Sequence, residues 1–171
     1  PYVISNQYGN YVNVYVSRAD IPDINDIDGD GDLDVLTFGV IGSRVEYHKN
    51  LSIEEGYGCD SLYYELKNEC WGHFMETGFG TNTAVLFDTC TVGISDPQKG
   101  GEVLKHAGST VLSLDLNNDG VKDLILGDVS FKNLVALTND NLGVNMNTSF
   151  LSQDTAFPSN TLPVDMQVFP G

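Results

Sequence analysis

Basic residues are scarce in this chain. Eight Lys and Arg stand against 24 Asp and Glu in 171 residues, a formal net charge of -16. That deficit removes the cationic surface that phosphate backbones and anionic lipids require, which excludes nucleic-acid binding and leaves metal cations as the ions the chain attracts. No apolar run of about 18 residues occurs, so no segment reads as inserting into a membrane. The common catalytic motifs are missing too: there is no G-x-S-x-G elbow, no H-E-x-x-H, no P-loop and no G-x-G-x-x-G. Glu54 and Glu55 are adjacent and point apart, which suits them poorly to an acid–base pair. On these grounds the chain is expected not to be an enzyme.

What is present is turn chemistry and short apolar bursts. Hydrophobic residues make up 41% of the chain, enough for one domain with a packed core. Tyr11–Val16, Asp34–Phe38, Thr83–Phe87 and Thr110–Leu114 are each short, β-branched or aromatic, and bounded by Gly, Asn or Asp. That is the pattern of strands between turns, and it predicts an all-β chain of antiparallel hairpins. Only Asp60–Glu69 has weak helical spacing, through Leu62, Tyr63 and Leu66.

An internal repeat organises these strands. Asp26-Ile27-Asp28-Gly29-Asp30-Gly31-Asp32-Leu33-Asp34 aligns with Asp115-Leu116-Asn117-Asn118-Asp119-Gly120-Val121-Lys122-Asp123, at an offset of 89 residues. Strand-like segments follow both loops at matching distances, at Val35-Leu36 and Leu124-Ile125-Leu126, then at Val45-Glu46-Tyr47 and Leu134–Leu137. Repetition of a strand–loop–strand unit points to a propeller or solenoid, in which units stack because none buries its own face alone. The spacing exceeds the usual ~40–50 residues of one propeller unit. The predicted organisation is a first blade region over 1–51 with its loop at 26–34, then an insertion or degenerate blade over 52–105. A second blade over 106–162 carries the loop at 115–123.

Both loops read D-x-[DN]-x-D-G-x-x-D, a spacing suited to calcium. Calcium takes six to eight oxygens at roughly 2.3–2.6 Å, and side chains at positions 1, 3 and 5 converge only if glycine at position 6 permits a tight turn. Position 7 then offers its carbonyl, and the acid at position 9 closes the shell. Two Ca2+ sites are predicted on this basis. The first comprises Asp26, Asp28, Asp30, the Asp32 carbonyl and Asp34; the second comprises Asp115, Asn117, Asp119, the Val121 carbonyl and Asp123. An EF-hand begins in the same way but needs Glu at position 12 and flanking helices. Here position 12 is Thr37 or Leu126, and both exiting segments are strand-like. The bland alternative is a solvated turn, but five carboxylates within nine residues repel one another unless a cation neutralises them. By charge count the first loop is expected to bind more tightly at low salt.

The loop followed by an apolar strand resembles the FG-GAP/VCBS repeat family of integrin-α-type β-propellers, and long secreted repeat proteins of Bacteroidetes in particular. Cys70-Trp71-Gly72, His106–Thr110, Asp123–Ser130 and Phe157–Thr161 carry the likeness. The resemblance implies propeller blades with one calcium per loop, with 163–171 beginning the next blade, and a secreted or cell-surface location reached through type IX secretion. It further implies a scaffold for adhesion or assembly, whose partners are the rest of the same propeller, other cell-surface chains, or glycans. The alternative is part of an extracellular carbohydrate-acting enzyme whose active site lies outside this chain. Since the sequence opens at Pro1 and stops at Gly171 without a signal peptide, it is read as a mature or trimmed piece.

The remaining motifs are minor. Cys59, Cys70 and Cys90 are expected to form one disulfide in an exported protein, with Cys70–Cys90 and Cys59–Cys70 both open; the sharper reading is zinc held by these cysteines and His73. His48 and His106 are expected to be structural. Asn50-Leu51-Ser52 and Asn147-Thr148-Ser149 match the N-glycosylation pattern, while Asp60-Ser61-Leu62 and Asp154-Thr155-Ala156 resemble O-glycosylation sites. Tyr57, Tyr63, Tyr64, Phe74 and Phe79 form either a contact surface or local packing, and packing is the expectation.

Overall fold

A computed structural model describes residues 2–40, 42–58, 61–76, 82–86, 109–139 and 148–165. Every regular element among them is a strand. The first sheet contains β1 (Ile4–Gln7), β2 (Asn10–Asn13), β3 (Asp23–Asn25), β4 (Asp34–Phe38), β5 (Val45–Asn50) and β6 (Tyr64–Asn68), in the order β2-β1-β6-β5-β4-β3. A separate hairpin pairs β7 (Phe74–Glu76) with β8 (Ala84–Leu86). The second sheet contains β9 (Ser109–Leu114), β10 (Asp123–Asp128), β11 (Leu134–Asn139) and β12 (Phe150–Phe157), in the order β12-β11-β10-β9.

The 89-residue offset holds at the level of topology. Strands β3–β6 and β9–β12 are both antiparallel meanders, and each Asp-rich loop joins the first strand of its meander to the second. Strand β1 adds to the first sheet by pairing in parallel with β6. The weakly helical stretch turns out to contain β6, because pairing Asn50 with Tyr64 and Lys49 with Glu65 uses the backbone in the sheet. Tertiary pairing outweighs a local spacing that Leu62, exposed to solvent, does not support.

The first strands of the two meanders lie side by side. Ile21 N donates to Ser109 O at 3.0 Å and Val111 N to Ile21 O at 3.2 Å, a parallel bridge. Two buried aspartates extend the seam: Asp20 Oδ1 accepts from Ser109 N at 3.0 Å, and Asp23 Oδ2 from Ser113 N at 2.9 Å. Between the sheets sits the core. Leu36, Phe38, Val45 and Tyr47 of the first sheet meet Val111, Leu124, Leu126, Val135 and Leu137 of the second. Trp71, Phe74, Ala84 and Phe150 complete it, with Trp71–Phe150 and Phe74–Phe150 packed edge to face at 5.4 and 5.7 Å. The residues between the two repeats thus supply a wedge of core.

The sheets contact each other through opposite faces. Leu36 faces the core, but its equivalent at the 89-residue offset is Ile125, on the far side of the second sheet. Leu124 faces the core, and its equivalent is Val35, on the far side of the first. The stacking is therefore front to back, as in an array of like units, and differs from the face-to-face packing of a symmetric sandwich.

Candidate metal centre

Each Asp-rich loop is wound by its own carboxylates. In the first, Asp26 accepts from Gly29 N at 2.7 Å and Gly31 N at 3.2 Å, Asp28 from Asp30 N at 3.3 Å, and Asp30 from Asp32 N at 3.1 Å. In the second, Asp115 accepts from Asp119 N at 3.0 Å and Gly120 N at 2.9 Å, Asn117 from Asp119 N at 3.0 Å, and Asp119 from Val121 N at 2.8 Å. Positions 4 and 6 have left-handed backbones in both loops: Gly29 and Gly31 at φ 81° and 100°, Asn118 and Gly120 at 61° and 89°. Glycine adopts this region without steric cost and asparagine tolerates it, so the coil can tighten there.

The ninth position anchors each loop to the sheet. Asp34 Oδ2 accepts from Ile27 N at 2.9 Å and Oδ1 from Asn50 N at 2.8 Å. Asp123 Oδ2 accepts from Leu116 N at 3.0 Å and Oδ1 from Asn139 N at 2.8 Å. Both aspartates are fully buried. Burial pushes the Asp34 carboxyl up to about 7, against its backbone hydrogen bonds, and it pushes the Asp123 carboxyl up as well.

The first loop brings its acids together more closely. Oxygens of Asp26, Asp28 and Asp34 lie within 4.8 Å of one another, as do those of Asp28, Asp30 and Glu54. Among the described residues no such trio forms in the second loop, where Asn117 Nδ2 donates to Asp119 Oδ2 at 2.8 Å. Sequence reasoning missed two participants. Lys49 Nζ is ion-paired with Asp28, with Glu54 and, at 3.0 Å, with Asp30. Burial works against the ammonium, but hydrogen bonds to the three carboxylates outweigh it and hold the lysine above its usual range. Asp32 reaches beyond the loop, accepting from Ile53 N at 3.2 Å through Oδ2.

Compared with protein-family models, curated proteins and solved structures, the chain matches none.

The other candidate centres resolve differently. Cys70 is disulfide-bonded, which removes it as a zinc ligand, and Cys59 and Cys90 lie outside the described residues. His73 Nδ1 instead meets Ser149 Oγ at 2.8 Å. His48 bridges Ser5 Oγ at 2.9 Å and Glu46 Oε2 at 3.3 Å, a serine–histidine–glutamate chain. Ser5 and His48 are fully buried, so no substrate reaches them and the contact is structural. His106, Phe79, Asp60 and Asn147 lie outside the described residues. Asn50 is only 2% exposed, and its Oδ1 accepts from Ser52 Oγ, Ser52 N and Tyr63 N, so a glycan there is incompatible with the fold. Thr155 is exposed. The aromatics divide: Phe74 and Tyr64 are buried, whereas Tyr57 is exposed and packs edge to face with Tyr63 at 6.4 Å.

Proposed function

We propose that the chain is a non-catalytic, calcium-binding β-propeller-type module of a secreted or cell-surface protein, serving as a rigid scaffold for adhesion or assembly. The observation that carries this reading is the equivalence of the two loops. Asp34 and Asp123 make the same two backbone hydrogen bonds, and the residues at positions 1, 3 and 5 of both loops present oxygens on the same coil. Hard oxygen donors are what calcium selects.

In the first loop Asp26, Asp28, Asp30, Asp34 and the Asp32 carbonyl would hold the ion. In the second, Asp115, Asn117, Asp119, Asp123 and the Val121 carbonyl would do so. The ion would neutralise acids that otherwise repel, so its binding free energy becomes folding free energy. Two matching four-strand meanders, stacked front to back with their first strands adjacent, support the propeller-type reading. The scaffold role is favoured because the acidic side chains are spent on loop geometry.

A thermal melt in millimolar calcium and in excess chelator tests the proposal. The melting temperature is expected to fall sharply in chelator, and Asp26→Ala combined with Asp115→Ala should reproduce that fall in calcium. An unchanged melt would reduce the loops to acidic turns.

A further inference from the structure

The first loop contains a cation of its own. We infer that Lys49 is an intramolecular competitor of calcium there: its ammonium holds the Asp28–Asp30–Glu54 cluster when the ion is absent and must leave for the ion to enter. The inference rests on the reading of the loops as calcium sites and concerns how one of them fills.

Three observations carry it. Of the two trios with oxygens within 4.8 Å of one another, Asp28–Asp30–Glu54 is the one that holds Lys49 Nζ, and it shares Asp28 and Asp30 with the proposed calcium ligands. The two cations therefore draw on the same two carboxylates, and Lys49 is only 8% exposed while holding them.

The ammonium also leaves an acceptor unserved. Its single charge is already shared among three carboxylates, and Asp30 Oδ2 is buried without a well-formed hydrogen bond. Asp32, 3% exposed, keeps Oδ1 buried without a hydrogen-bond partner. A divalent ion with six to eight oxygen ligands has the capacity that the ammonium lacks. The cluster is thus built for more positive charge than Lys49 supplies.

Among the described residues the second loop has no such ion pair. The residue equivalent to Lys49 is Thr138, and at that loop the Asn117 amide, a neutral donor, meets Asp119 at 2.8 Å. Competition by Lys49 therefore acts on the first loop, which binds calcium more weakly than its carboxylate count implies. The same ammonium offsets part of the first loop's negative charge at low calcium.

Two measurements test this. In an Asp119→Ala background, which removes the second site, calorimetric titration with calcium chloride compares Lys49 with Lys49→Met and with Lys49→Thr. The Kd is expected to fall about tenfold or more in both variants, since the ion no longer has to displace an ammonium from carboxylates at ion-pair distance. On the unmodified protein, reductive methylation read by mass spectrometry reports the ammonium directly. Lys49 should react slowly in chelator and several-fold faster at saturating calcium, with Lys67 unchanged as the internal control. If calcium binds but the Kd is the same in the variants, or Lys49 stays protected at saturation, the inference is overturned and the calcium reading stands. If no variant takes up calcium, the proposed function fails and this inference fails with it.

Discussion

Tyr47 donates its hydroxyl to Asp34 Oδ2 at 3.1 Å, a buried contact that the second repeat lacks because Ala136 stands at the equivalent position. The first loop is thus tied to the core between the sheets, where Tyr47 is fully buried. A Tyr47→Phe substitution keeps the ring and removes one hydrogen bond to a carboxylate. It is expected to cost about 1–2 kcal/mol, read as a lower urea midpoint at unchanged slope. A neutral result would mean that Ile27 N and Asn50 N suffice for Asp34.

Asp34 also predicts a pH dependence. Burial lifts its folded-state carboxyl to about 7, whereas the unfolded value is about 3.9. The folded protein therefore binds a proton that the unfolded chain releases between those values, so this group's contribution weakens as pH rises from about 4 to about 7 and then levels. In excess chelator, stability from urea melts should be higher at pH 5 than at pH 8, and Asp34→Asn should flatten the difference. A rise with pH in the parent protein that Asp34→Asn abolishes would refute the assignment.

Removing either ninth-position acid should separate structure from ion binding. Asp34→Ala and Asp123→Ala each leave two buried backbone donors without acceptors, a loss of about 3 kcal/mol. Each variant should also lose part of the calcium-induced rise in melting temperature, while Asp154→Ala, which removes a half-buried acid of β12 outside both loops, should lose none.

Gly72 gives a purely steric prediction. It sits at φ 81°, and a Cβ there would collide with the Phe150 ring and press on Phe74. Gly72→Ala should cost about 2–4 kcal/mol, combining left-handed strain with overpacking. Phe150→Ala removes a buried ring and should cost about 3–5 kcal/mol. The double variant should cost less than the sum, because the space vacated by Phe150 admits the new methyl.

Local chemistry made much of this legible. Asp34–Phe38 forms β4 with the bounds read from the chain, and the left-handed positions fall where Gly31 and Gly120 stand. Legibility failed where partners are distant in sequence. Lys49 and Asp28 are 21 residues apart and meet because the β4–β5 hairpin returns the chain to the loop, so no local pattern marks the pair. The disulfide at Cys70 was legible as a class of bond. Packing was the expectation for Phe74, which is buried, but its partner was not legible, since Phe150 belongs to the second sheet.

Front-to-back stacking gives the molecule a polarity. One side, bearing Ile24 at 60% exposure beside Val35, ends in an apolar hollow of about 280 Å³; the other side bears Leu112 at 47% exposure and Ile125. A self-complementary contact would be exhausted by two units, whereas a front-to-back contact leaves an unlike face on each side of the pair.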